Sequence, residues 1–140
     1  MKNANQENDS KDELSERIGT ACQGTILLSE IDAEVEPFHG GKTGRLNKKT
    51  FLEAIGKNED TPAEESSAGK FFDQVTNIHE WFTASQKKNA EKFAELRKLL
   101  ESNLKGLRVF RIGRTRIDIY IVGLDADGNL AGVKTQAVET

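Results

Sequence analysis

Few residues in this 140-residue chain have the type and spacing to do chemistry. His39 and His79 are the only histidines and Cys22 the only cysteine. A zinc site would have to combine the two distant histidines with carboxylates, since zinc is held by Cys, His and Asp/Glu ligands. His79-Glu80-Trp81-Phe82-Thr83 lacks the second histidine of a zincin helix. Asp125, Asp127 and Asn129 imitate the opening of a calcium loop, but Gly128 is misplaced and no glutamate closes it. A hairpin turn accounts for them better. Gly40-Gly41-Lys42-Thr43-Gly44 contains Gly-Lys-Thr without the upstream glycine or the strand-to-helix setting of a phosphate cradle. There is no Gly-x-Ser-x-Gly elbow. Cys22 falls on the apolar face of a predicted helix, where a buried structural thiol is expected. The chain therefore reads as a binding protein rather than an enzyme, with no cofactor and no metal of its own.

Charge narrows the partner. The net charge is −3 and the pI near 5.5, which argues against a general nucleic-acid binder, whose basic face must displace counterions. Arg108, Arg111, Arg114 and Arg116 gather near one predicted hairpin. They form either a local nucleic-acid patch or a sheet edge protected by charge; no aromatic row accompanies them to stack bases. Two carboxylates stand out by position. Glu30 immediately follows the first predicted strand, and Glu139-Thr140 puts the terminal α-carboxylate at the end of the last one. Trp81, the only tryptophan, precedes a helix cap.

The elements that must position these groups are legible in outline. Residues 1–9 hold almost nothing that could join a core and are expected to form a disordered tail. Residues 10–140 are expected to form a single domain. Ser10 and Glu13 can make a capping box for a helix whose apolar face carries Leu14, Ile18, Ala21 and Cys22, with Gly24 as its stop. Residues 25–29 read as a buried strand. Residues 30–46 are a long connection, or contain a short edge strand from Glu34 to Phe38, where Pro37 is tolerated. Asn47 caps a short helix ended by Gly56, residues 57–69 read as a solvated loop, and Phe71, Phe72, Val75 and Ile78 have helical spacing. Thr83 and Gln86 predict a capping box for a long helix over 85–105, with an apolar stripe of Phe93, Leu96, Leu100 and Leu104 and Gly106 closing it. Three strands follow, over 107–112, from about 117, and over 130–138. The middle one is apolar on both faces and so should be central and covered by helices on both sides. The expected fold is α/β in the α+β sense, a helix-covered sheet ending in an antiparallel meander. No apolar run approaches the roughly 18–20 residues that span a bilayer, and a lone thiol suits a reducing compartment, so a cytoplasmic monomer is expected.

The stretch Gly128-Asn129-Leu130-Ala131-Gly132-Val133-Lys134-Thr135-Gln136-Ala137-Val138-Glu139-Thr140 resembles the C-terminus of the nuclease A inhibitor family. Upstream, Asp118-Ile119-Tyr120-Ile121-Val122-Gly123, Val109-Phe110-Arg111-Ile112-Gly113, Glu80-Trp81, Phe71-Phe72 and Leu27-Leu28-Ser29-Glu30 are similar to its other segments in the same order. The resemblance covers roughly residues 13–140. It implies a three-layer α/β/α sandwich and a protein partner, a metal-dependent nuclease that cuts DNA and RNA without sugar specificity. It also implies that Glu30 and Thr140 reach the metal site of that nuclease and that Trp81, with Glu139 beside the chain end, contacts the nuclease nearby. A rigidly held carboxylate can imitate the scissile phosphate that such a metal normally binds. Two segments depart from the family pattern: Ile31 to Gly41 lacks most of the large aromatics, and Thr83-Ala84-Ser85-Gln86-Lys87-Lys88 replaces an acidic stretch.

Overall fold

The computed structural model describes residues 13–28 and 31–139. The expected tail, the Ser10 cap, Glu30 and Thr140 lie outside the described residues. Within them, helices α1 (residues 13–22), α2 (Lys48–Ala54), α3 (Ala68–Thr76) and α4 (Ala84–Asn103) combine with two antiparallel sheets in an α+β arrangement. The small sheet pairs β1 (Ile26–Leu28) with β2 (Asp32–Glu34). The large one contains β3 (Glu36–Lys42), β4 (Ala63–Ser67), β5 (Lys105–Ile112), β6 (Arg116–Leu124) and β7 (Asn129–Val138), in the order β3-β7-β6-β5-β4.

The expected meander is β5-β6-β7, and β6 is the middle strand of the five. Its doubly apolar sequence explains this. Alternate residues of a strand face opposite sides of the sheet. Ile117, Ile119 and Ile121 enter one core cluster with Ile18 of α1, Phe72 of α3, and Phe93, Leu96 and Leu100 of α4. Val122 enters a second with Phe51 and Leu52 of α2 and Phe110 of β5. Phe51 and Phe110 are both fully buried and stacked, 4.3 Å apart and 5° from parallel.

The helix caps follow the local sequence. At α4 the Thr83 amide donates to Gln86 Oε1 at 2.8 Å, and the Gln86 amide donates to Thr83 Oγ1 at 3.2 Å. At α2 the Asn47 side chain accepts from the Thr50 amide at 2.9 Å, and the Asn47 amide donates to Thr50 Oγ1 at 3.0 Å. Each such cap satisfies backbone donors that the first turn leaves without partners, a contribution of roughly 1 kcal/mol.

Four expectations are revised. Residues 63–67, expected within a solvated loop, form edge strand β4 against β5. Only Ala63 of this strand packs against a core cluster, and Glu64 to Ser67 are exposed, so no apolar alternation betrays it. Gly106 does not end α4. Leu104, already extended (φ −123°, ψ 144°), caps the helix, and Gly106 sits at φ +66° inside β5, where the register shifts between Lys105 and Arg108. A positive φ in a strand is a conformation glycine adopts at little cost. The first strand is not buried: β1 belongs to the small ribbon, with Leu27 turned inward and Leu28 exposed. Ile78 lies beyond the end of α3 and is exposed. In the segment with two readings an edge strand forms, as β3 over Glu36–Lys42, with Pro37 opposite Val133.

Candidate protein-binding site

Three chain segments meet around one cleft of about 350 Å³ at the end of the large sheet. Phe71 and Val75 of α3, Phe93 of α4, and Ile119 and Ala137 of the sheet give it apolar walls. Its margins come from β1 (Leu28), from the connection between α3 and α4 (Asn77, Phe82), and from the end of β7 (Glu139), with Arg111 beside Glu139.

The first segment, β1, is fastened from both sides. The Ile26 amide donates to Asn89 Oδ1 at 2.9 Å, and Asn89 Nδ2 donates to the Ile26 carbonyl at 2.8 Å. One side-chain amide thus serves the strand edge as a neighbouring peptide would. On β2, the Thr135 hydroxyl, buried on β7, donates to the Glu34 carbonyl at 3.1 Å. The Val35 amide donates to the Thr25 carbonyl at 2.9 Å. In the sequence, Glu30 lies between β1 and β2.

The second segment, residues 77–83, packs on itself. The Phe82 amide donates to the His79 carbonyl at 3.1 Å. The His79 ring stacks on Trp81 at 4.3 Å and 13°, and meets Phe82 nearly edge-on at 5.0 Å. Trp81 is nevertheless 75% exposed. An indole held in place by a neighbouring ring yet open to solvent is preorganised for a partner, and little side-chain entropy remains to be lost on binding. Leu28, Ile31, Ile78 and Trp81 are the exposed large apolar side chains among the described residues. Leu28, Ile78 and Trp81 lie on the two segments that border the cleft, Ile31 directly precedes β2, and apolar side chains clustered in this way mark interaction surfaces.

The third segment is the end of β7. The Glu139 amide donates to the Thr115 carbonyl at 2.9 Å, and its carboxylate accepts from Arg111. Arg108 pairs with Glu65 of the edge strand β4 at 3.1 Å. Two of the four clustered arginines are therefore committed to carboxylates, and the Arg108–Glu65 pair lies along a sheet edge.

The residues weighed for other chemistry have structural roles. Cys22 is buried, and burial, helped by the negative charge of Glu36, pushes its thiol up to about 12. Asp125 Oδ1 accepts from the amides of Asp127 and Asn129, both at 2.9 Å, which is a side-chain-braced hairpin turn. The amides of Thr43 and Gly44 both donate to the Gly128 carbonyl at 3.1 Å, so they stitch two loops together and do not face a phosphate. No group of three or more His, Cys, Asp or Glu among the described residues could hold a metal. No helix among them is long and apolar enough to cross a membrane.

Of the four residues singled out from sequence, Trp81 and Glu139 are described. Phe82, next to Trp81, and Glu139 itself both line the cleft. Glu30 and Thr140 lie outside the described residues. Asn89, His79 and Arg111 were not foreseen as partners of the site. Asn89 did carry a signal: it is a weak helix former four residues before Phe93, next to the buried stripe of α4.

The chain belongs to the nuclease A inhibitor-like protein family, whose model matches residues 12–140. Comparison with individual curated proteins gives no match.

Proposed function

We propose that this protein is an inhibitor that binds and blocks the active site of a metal-dependent, non-specific DNA/RNA nuclease. The observation that carries the proposal is the convergence of β1, the Trp81 connection and the end of β7 on one cleft, bordered by exposed apolar side chains. Glu30 follows β1 by two positions and Thr140 follows Glu139. In this reading they supply anionic oxygens to the metal of the bound nuclease, while Trp81 anchors the interface, as buried indoles commonly do. Nothing in the chain is turned over, and it acts as a cytoplasmic monomer without a metal, cofactor or nucleic-acid contact of its own. The three-layer α/β/α arrangement belongs to the same proposal. Its support is that α2 joins one core cluster while α1, α3 and α4 join the other.

A second reading, a binding module with a different partner, is favoured by one observation. The first turn of α4, next to Trp81, contains no acidic residue, so it offers nothing to steer a basic nuclease toward the site. One experiment separates the two. The protein is titrated into a Mg²⁺-dependent, sugar-non-specific nuclease while duplex DNA degradation is followed, with Glu30→Ala and a variant lacking Thr140 alongside. Stoichiometric inhibition that both variants weaken supports the inhibitor. Folded protein without effect at large excess supports the second reading.

A further inference from the structure

We propose that Arg111 is a positioning residue for the proposed inhibitory site, holding the end of β7 in its binding orientation through Glu139. This rests on the inhibitor reading for its functional consequence, but the clamp itself can be measured without any nuclease. Arg111 is on β5 and Glu139 follows β7, with β6 between them. The contact therefore crosses β6, and the two long side chains bridge it together. Arg111, Ile119, Ala137 and Glu139 all line the cleft. The cross-strand neighbour of Arg111 on β4 is a second carboxylate, Glu64, but the ion pair forms with Glu139.

Two observations favour a role in positioning. First, the Arg111 side chain is only 24% exposed and lies on the sheet face that carries Ile119 and Ala137. An arginine there is costly unless its charge is answered, and Glu139 answers it. Second, Glu139 is held at two points, its carboxylate by Arg111 and its amide by the Thr115 carbonyl. Two anchors on one residue fix its place beside the cleft. The next residue is Thr140. Arginine suits the task because its planar fork stays charged and holds a carboxylate in a defined orientation, whereas lysine offers a shorter, point-like contact.

Removing the clamp lowers the fraction of molecules in which Glu139 is held in its binding orientation, and apparent affinity falls with that fraction. A partly exposed pair supports a loss of up to about fivefold. The test compares wild type, Arg111→Gln, Arg111→Lys and the charge swap Arg111→Glu with Glu139→Arg, each with and without Thr140. Backbone ¹⁵N relaxation of the free protein reads the order of the Glu139 amide, and the nuclease titration reads inhibition. Arg111→Gln should increase motion at Glu139 while Ile119 and Ala137 remain rigid, with Arg111→Lys intermediate and the swap restoring order. Its inhibition loss should disappear when Thr140 is already absent, because a residue acting through the chain end has nothing left to position. Equal inhibition losses with and without Thr140 would overturn the functional role. Unchanged order at Glu139 in Arg111→Gln would overturn the clamp. Increased motion at Glu139 in a protein whose wild type inhibits no nuclease would leave the clamp standing and remove the inhibitor reading.

Discussion

Replacing Asn89 by alanine is expected to loosen the β1–β2 ribbon without dismantling the sheet. The substitution removes two hydrogen bonds, at 2.9 and 2.8 Å, and strands both backbone groups of Ile26 against α4. A typical intramolecular hydrogen bond contributes about 1 kcal/mol net, and a buried group left without a partner costs about 1–3 kcal/mol. The adjoining cleft admits water to part of this region, so the lower end of the sum applies, about 2 kcal/mol. Alanine is the better helix former by up to roughly 0.7 kcal/mol, which offsets part of the loss. The net expectation is about 1–2 kcal/mol. Asn89→Asp keeps the acceptor and loses the donor, so it should fall between alanine and wild type. Urea unfolding measures the global change, and native-state amide exchange at Ile26 measures the local one. Exchange at Ile26 should accelerate by roughly tenfold or more, since each 1.4 kcal/mol is a factor of ten, while the amides of β6 keep their relative protection. Nuclease inhibition should weaken in the same order across the three proteins. If Ile26 exchanges at the wild-type rate in Asn89→Ala, the amide is not what holds the ribbon, and the reasoning fails.

Three further expectations can be checked with standard measurements. Trp81→Ala should leave stability within about 0.5 kcal/mol, because the side chain is 75% exposed, yet weaken inhibition by about 2 kcal/mol or more, near thirtyfold, as a central indole anchor would; a titration with wild-type potency would remove Trp81 from the interface. Phe51→Ala, which empties the stacked pair with Phe110, should cost about 3–5 kcal/mol in urea unfolding. Cys22 should resist thiol reagents in the folded protein at neutral pH. The folded state holds its proton more tightly than the unfolded state, so the contribution of this group to stability is fully present below about pH 9 and is lost as the pH rises toward about 12. Denaturation midpoints measured across that window, compared with Cys22→Ala, test the sign.

Locally encoded features of the fold were legible. The Thr83–Gln86 and Asn47 caps announce helices within a few residues, and the doubly apolar run from Ile117 to Val122 announces a central strand. Elements defined by a distant partner were not. Glu64-Glu65-Ser66-Ser67 becomes a strand because β5 offers it an edge, and exposed edge strands carry charge where an inner strand would carry alternating apolar residues. Ile26-Leu27-Leu28 looks like a core strand because three apolar residues adjoin, whereas a two-stranded ribbon buries only the middle one. Gly106 misled for a related reason: glycine after a helix suggests a stop, and the helix had already ended at Asn103 as the chain extended into β5. The site divides along the same line. Trp81 and Glu139 attract notice by residue type and position, whereas Asn89 and Arg111 act on residues 63 and 28 positions away, a relation that no local pattern encodes.

The placement of β3 bears on how the protein is made. Its ladder partner is β7, with Glu36 opposite Lys134 near the far end of the sequence. During vectorial synthesis, β1, β2 and β3 leave the ribosome long before the strand that receives them exists. By contrast, α4, β5, β6 and β7 run consecutively from Ala84 to Val138 and can associate through short connections, the arrangement that folds fastest. The helix and meander are therefore expected to be the unit on which the earlier half of the chain condenses, which pulse-labelling amide exchange during refolding would show as earlier protection in β6 than in β3. Until β7 has emerged, β3 has no ladder to join, and the backbone groups it will pair across the sheet stay without those partners.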